Sequence, residues 1–305
     1  MSAGCGTLEV RGSRVLFSLP PIAPSMLCLA FPGDDVPWPS WSSATEASGQ
    51  HAHSSGLLSV LRKRFHHQGG AYSTAALAVV EPSRCSSSGH AHYENLLPCE
   101  LSRSGAPLAP YAQFANAHKA ASLLAAIIDA VRDAQGPSCW EAVPLVAIAF
   151  SKGAVVLNQL LAEASTLGRP PSASDEDARD AVAGRRRPGA DAAAQRLLEQ
   201  LREVHYVDAG LDVPGCYMTE ASVIGGLSRR DHGSLAIAFH GTPRQWFDER
   251  RRWLREEKDR SVAQLRHAGL DVHEKVYLED EPGSLSMHFA CVELFDLTLC
   301  GSRVG

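Results

Sequence analysis

Apolar positions fall into short runs separated by helical patterns. Val15-Leu16-Phe17-Ser18-Leu19 and Met26-Leu27-Cys28-Leu29-Ala30-Phe31 have strand character, and the second run ends in the turn signal Pro32-Gly33-Asp34-Asp35. Residues 37–56 and 82–108 are rich in small and polar residues and read as loops. Between them, Leu57 to Phe65 predicts a short helix, and Ala75 to Val80 a strand closed by Glu81-Pro82. Pro110 opens a helical stretch from Tyr111 to Ala134, with Leu123, Leu124, Ile127, Ile128 and Val131 at helical spacing.

The run Val143-Pro144-Leu145-Val146-Ala147-Ile148-Ala149-Phe150 has the continuous apolar character of a strand buried on both faces of a parallel sheet. Ser151-Lys152-Gly153 breaks it, and Ala154 to Ala164 follows with Leu157, Leu160 and Leu161 on one helical face. The remainder alternates in the same way. A helix over 191–202 precedes the strand Val204 to Asp208. The strand Leu235 to His240 precedes a charged helix over 246–268, and Asp271 to Leu278 is a further strand before a last helix from His288 to about Leu299. Strands separated by helices predict an α/β fold, with a mostly parallel sheet and helices on both faces. Residues 166–190 change character, through Pro170-Pro171, Asp175-Glu176-Asp177 and Arg185-Arg186-Arg187-Pro188-Gly189. They read as a flexible insertion in a single domain spanning residues 1–305.

Composition narrows the function. The chain has 305 residues, 45% of them hydrophobic, which is enough for a sizeable core. A net charge of -5 argues against nucleic acid as a partner, and no apolar run is long enough for a transmembrane helix. The eight cysteines are scattered without a Cys-x-x-Cys pair, as expected of reduced core thiols. The start lacks the basic-then-apolar pattern of a secretory signal; Arg11 and Arg14 suit a short transit peptide, and Glu9 does not. His51/His53 and His90/His92, the latter near Cys85, lie in Ser/Gly-rich loops without a second cluster, so no metal is expected. No phosphate-binding glycine motif stands between a strand and a helix, and no cofactor is expected. The mixed charges of the 246–268 helix read as a solvated face.

Ala149-Phe150-Ser151-Lys152-Gly153 approximates the G-x-S-x-G nucleophile elbow, with Ala in the first glycine position. Such a turn requires small residues two before and two after the serine. It lifts the hydroxyl above the sheet at a helix N-terminus and aims the next backbone N–H, here that of Lys152, at a developing oxyanion. A hydrolytic serine needs an acid and then a base later in the chain. Asp208 ends one strand and Asp248 lies just past the next, so both are candidate acids. His288 follows the last strand and is the candidate base, whereas His273 falls inside a strand. Gly33 and Asp34, after an early strand, are placed to supply the second oxyanion donor. An Asp after a strand is also a common helix cap, and Pro-Gly-Asp a common turn.

Several of these segments appear together and in order: Phe31-Pro32-Gly33-Asp34, Phe150-Ser151-Lys152-Gly153 with Val155 to Leu161, Asp208-Ala209-Gly210, His240 with Thr242-Pro243, Trp253, and His288-Phe289. This set resembles the family of the human chromosome 2 open reading frame 69 protein, over roughly residues 26–296. The resemblance implies an α/β-hydrolase-like fold, association with mitochondria, and Ser151, Asp208 and His288 as the triad. Family members usually carry Gly at the positions of Ala149 and Ala209. The expected activity is hydrolysis of a small ester, thioester or related acyl bond, in a mitochondrial or cytoplasmic setting. The competing expectation is a non-catalytic protein of the same fold that acts in binding or assembly.

Overall fold

Apolar runs become strands and the amphipathic stretches between them become helices in the computed structural model, which describes residues 4–42, 52–135, 140, 143–167, 188–230 and 235–301. In chain order these are β1 (Gly4–Val10), β2 (Ser13–Leu19), β3 (Leu27–Phe31), α1 (Ala52–Gln68), β4 (Ala76–Val80), the short β5 (Arg84–Cys85) and β6 (Ala91–His92), and α2 (Lys119–Gln135). There follow β7 (Leu145–Phe150), α3 (Ala154–Ala164), α4 (Pro188–Gln200), β8 (Leu201–Val207), α5 (Ala221–Leu227), β9 (Ala236–Gly241), α6 (Pro243–Trp246), α7 (Arg252–His267), β10 (Asp271–Val276) and α8 (Leu285–Leu294).

Eight strands form one sheet in the order β1-β2-β4-β3-β7-β8-β9-β10. β2 runs antiparallel to both neighbours, and every other adjacent pair is parallel. That order, with its one reversed strand and its helical crossovers, is the α/β-hydrolase fold. Period-two alternation sends strand side chains to opposite faces. Leu27, Leu29, Phe31, Ala147, Val204 and Tyr206 join the core under α2, α3 and α7. Cys28, Ala30, Val146, Ile148, Phe150 and Val207 join the core under α1 and α8. Because all parallel strands point the same way, Phe31, Phe150 and Val207 end on one edge, and the loops that follow them meet there.

Relative to the sequence reading, α1 begins at Ala52 inside the stretch read as loop, α5 was not read, and the last helix is Leu285–Leu294 and not His288 to about Leu299. Three further differences have a local reason. β1 is an edge strand whose alternate residues face solvent, so it lacks an apolar run. It pairs with β2 through a two-residue turn in which Arg11 and Gly12 both have positive φ, 50° and 77°. The helix read over Tyr111 to Ala134 is two pieces. A 3₁₀ segment, Tyr111–Ala117, is capped by Glu220, which accepts from the amides of Tyr111 and Ala112. His118 then turns left-handed at φ 46°, and buried Glu163 accepts from the amides of Ala120 and Ala121 to start α2. The 246–268 stretch also divides, because Asp248 caps a 3₁₀ turn at Glu249–Arg251 ahead of α7. Most of the insertion read at 166–190, namely 168–187, lies outside the described residues.

Candidate active site

β7 ends at Phe150 and the chain reverses at Ser151, whose φ is 54°. A left-handed non-glycine residue costs about 1–2 kcal/mol and persists only where its surroundings hold it. Here they do. A Cβ on Gly153 would lie 2.2 Å from the carbonyl oxygen of Phe31, so the first turn after Ser151 presses against β3. A Cβ on Gly33 would lie 2.5 Å from Cβ of Ser151, so the loop after β3 passes directly over the serine. Ala149 is fully buried within β7, and its methyl group is accommodated there.

Asp208 follows β8, also left-handed at φ 43°, and is fully buried. Its amide donates to the His240 carbonyl at 2.7 Å. Its Oδ1 accepts from the backbone N–H and the hydroxyl of Thr242, at 2.8 and 2.9 Å. Its Oδ2 lies 2.6 Å from Nδ1 of His288. A carboxylate can only accept, so Nδ1 carries a proton, and in the neutral ring Nε2 is then the nitrogen with the lone pair. His288 sits early in α8, where Ser284 caps the helix by accepting from the Met287 amide. Its ring packs on Phe150, with centroids 4.4 Å apart. Ser151 and His288 line one cavity of about 210 Å3, together with Phe150, Asp34, Arg244 and Arg251. Among the described residues no direct hydrogen bond joins Ser151 to His288.

The loop over the serine is fastened from below. Lys152 is buried, and its Nζ lies 2.6 Å from Oδ1 of Asp34 while donating to the Ser104 carbonyl at 2.6 Å. Asp34 also accepts from the Ala91 amide and faces His90 Nδ1 at 3.3 Å. Tyr93 donates to the Pro32 carbonyl. The amides of Asp35 and Val36 are engaged by Gly89 and Asp34, which leaves those of Gly33 and Asp34 as the loop's candidate donors toward the cavity.

The remaining sequence candidates lie elsewhere. Asp248 accepts from Nε of Arg250 and Nε of Arg251, both at 3.1 Å, and the Arg250 contacts hold its carboxyl well below the usual range. His273 pairs with Asp271 at 2.9 Å on β10. His51 lies outside the described residues. His53 donates Nδ1–H to the Val36 carbonyl and stacks on Trp38, and burial lowers its pKa to about 4. Burial pushes the Cys85 thiol up to about 11. Thr242, which orients Asp208, was missed in the sequence; its signal was a threonine between a strand end and Pro243, the pattern of a helix cap.

The C2orf69 family model matches residues 76–271. The mitochondrial protein C2orf69 homolog of Danio rerio is 29% identical over 154 residues, covering 50% of this chain and 38% of that protein. The Mus musculus homolog of the same name is 26% identical over 149 residues, covering 48% and 34%. The matched region thus spans little more than a third of each relative's length. Among solved structures, a hormone-sensitive lipase from a metagenome library aligns at 12% identity and a TM-score of 0.42, covering 96% of this chain and 83% of that one. TT1662 from Thermus thermophilus aligns at 14% identity and a TM-score of 0.45, covering 96% and 98%. Among the described residues, no helix is long and apolar enough to cross a membrane.

Proposed function

The chain belongs to the C2orf69 family, and on that premise we propose that it is a serine hydrolase that cleaves small acyl esters or thioesters. The observation that carries this reading is a left-handed Ser151 in the same cavity as an imidazole whose Nδ1 lies 2.6 Å from buried Asp208. Ser151 on its elbow attacks the acyl carbon. His288 Nε2 takes the hydroxyl proton and later returns it to the leaving group, and Asp208 holds the ring in the tautomer that can do so. The amides of Lys152 and of Gly33 or Asp34 stabilise the oxyanion, each worth about 2.7–4 kcal/mol in the transition state. The Ser–His contact tightens on substrate binding, as is common for sites that hold no ligand. Arg244 and Arg251 line the cavity together with Asp34 and Asp212, and Arg251 is paired with Asp248, so both neutral and charged acyl groups are to be tested. The names of the relatives support a mitochondrial location.

The missing Ser–His hydrogen bond also favours a second reading, a non-catalytic binding or assembly protein on the same fold. A fluorophosphonate probe separates the two. Wild-type protein is expected to label and Ser151→Ala not to; equal labelling of both rules out Ser151 as nucleophile. A screen of neutral and anionic acyl esters then reads the substrate class.

A further inference from the structure

A second polar cluster lies on the α1/α8 face of the sheet, away from the serine. Glu203 and His205 project from β8 on the same side as Val207, and Cys300 closes over them from the segment that follows α8. Glu203 and His205 are fully buried and Cys300 nearly so. One ligand atom from each residue lies within 4.8 Å of the other two. Glu203 is five residues before Asp208, about 16 Å along the strand.

We propose that Glu203, His205 and Cys300 form a zinc site that clamps the segment after α8 to the sheet. Two features point to a metal ion rather than to a simple ion pair. First, Glu203 Oε2 and His205 Nε2 are 3.4 Å apart. A buried charge-assisted hydrogen bond contracts to about 2.7–2.9 Å, and His288–Asp208 in the same molecule has done so. Two ligands at about 2.0–2.1 Å on one tetrahedral zinc are separated by about 3.4 Å. Second, Glu203 Oε1 is buried without a hydrogen-bond partner. Zinc leaves its fourth position to a water after three protein ligands, and that water satisfies the orphan oxygen.

The surroundings suit this role. His205 Nδ1 is 3.0 Å from His240 Nε2, and His240 Nδ1 is 2.9 Å from the Tyr277 hydroxyl. With His205 Nε2 on the metal, Nδ1–H donates to His240, and His240 Nδ1–H donates to Tyr277. This is the outer hydrogen bonding that fixes a ligating imidazole. Tyr277 also accepts from the Asp296 amide, so the relay ends on the same segment that carries Cys300. Binding displaces the Cys300 thiol proton to solvent and leaves a thiolate on the ion. One thiolate, one imidazole and one carboxylate make a zinc-type donor set.

Zinc content and Co2+ substitution of the full chain test the site. The expected results are about one zinc per chain as isolated, a thiolate-to-Co2+ charge-transfer band after substitution, and slower alkylation of Cys300 in zinc-loaded than in chelator-treated protein, mapped by mass spectrometry. Cys300→Ser should abolish the band, and Glu203→Gln should weaken Co2+ binding at least about tenfold. Wild-type protein that retains no zinc and gives no thiolate band overturns the proposal without recourse to any variant. So does a band that survives in folded Cys300→Ser, or Cys300 alkylation that is indifferent to zinc.

Discussion

His288 Nδ1 meets Asp208 Oδ2 at 2.6 Å, and the other oxygen of that carboxylate is held twice by Thr242. The acid is therefore oriented before any substrate arrives. Asp208→Asn keeps the shape but offers an amide where His288 needs an acceptor, and so turns the imidazole to the wrong tautomer. Acyl hydrolysis should fall by about three to four orders of magnitude with little change in the fold. Turnover of an activated ester, with circular dichroism as the folding control, checks it. A variant of near wild-type rate would remove Asp208 from the triad.

The backbone at Ser151 makes a separable prediction. Its φ of 54° is strained for serine and for alanine but not for glycine. Ser151→Gly and Ser151→Ala should both lose probe labelling. Ser151→Gly should nonetheless be the more stable of the two by about 1 kcal/mol, after allowing for the greater entropy of an unfolded glycine. In a chain of 305 residues that is a rise of about 1–2 °C in Tm. Equal melting temperatures would mean that the turn stores no strain.

What could be read from the chain beforehand was local. The helix at Ala154–Ala164 falls where the spacing of Leu157, Leu160 and Leu161 puts it, because a helix is specified by neighbours three and four apart. The Ser151 turn was legible for the same reason. β1 was not, since an edge strand with one solvated face carries no apolar run, although Arg11-Gly12 between alternating residues marks its hairpin. Asp208 and Asp248 looked equivalent because both follow strands. Only the tertiary fold puts one against His288 and the other between Arg250 and Arg251. Glu203 and His205 were hidden within a strand, because whether alternate positions face solvent or Cys300 depends on a segment almost one hundred residues later.

Lys152 carries a second role besides its backbone amide. Its ammonium is buried against Asp34, in the loop that passes over Ser151. Lys152→Met strands the Asp34 carboxylate beside His90 and frees the loop, and should cost about 2–3 kcal/mol of stability while slowing probe labelling. Asp34→Asn should cost less, because the amide oxygen can still accept from Ala91. The double variant should recover about 1–2 kcal/mol relative to the sum of the single changes. Strict additivity in urea unfolding would show that the pair does not hold the loop.

Acid should loosen the aromatic wall beside the site. His53 is buried against Trp38 and Phe150, and desolvation lowers its pKa from 6.5 to about 4. Between those values the unfolded chain binds a proton that the folded chain does not, so this contribution to stability is complete above about pH 6.5 and declines as the pH falls toward 4. The full shift corresponds to a loss on the order of 3 kcal/mol. His53→Asn keeps a donor for the Val36 carbonyl and removes the titration. Its stability should start below wild type at pH 7.5, through lost ring packing, and the two curves should converge as the pH drops to 5. Urea unfolding of both proteins across that interval reads the difference directly, and curves that stay parallel would exclude His53 as the source of acid sensitivity.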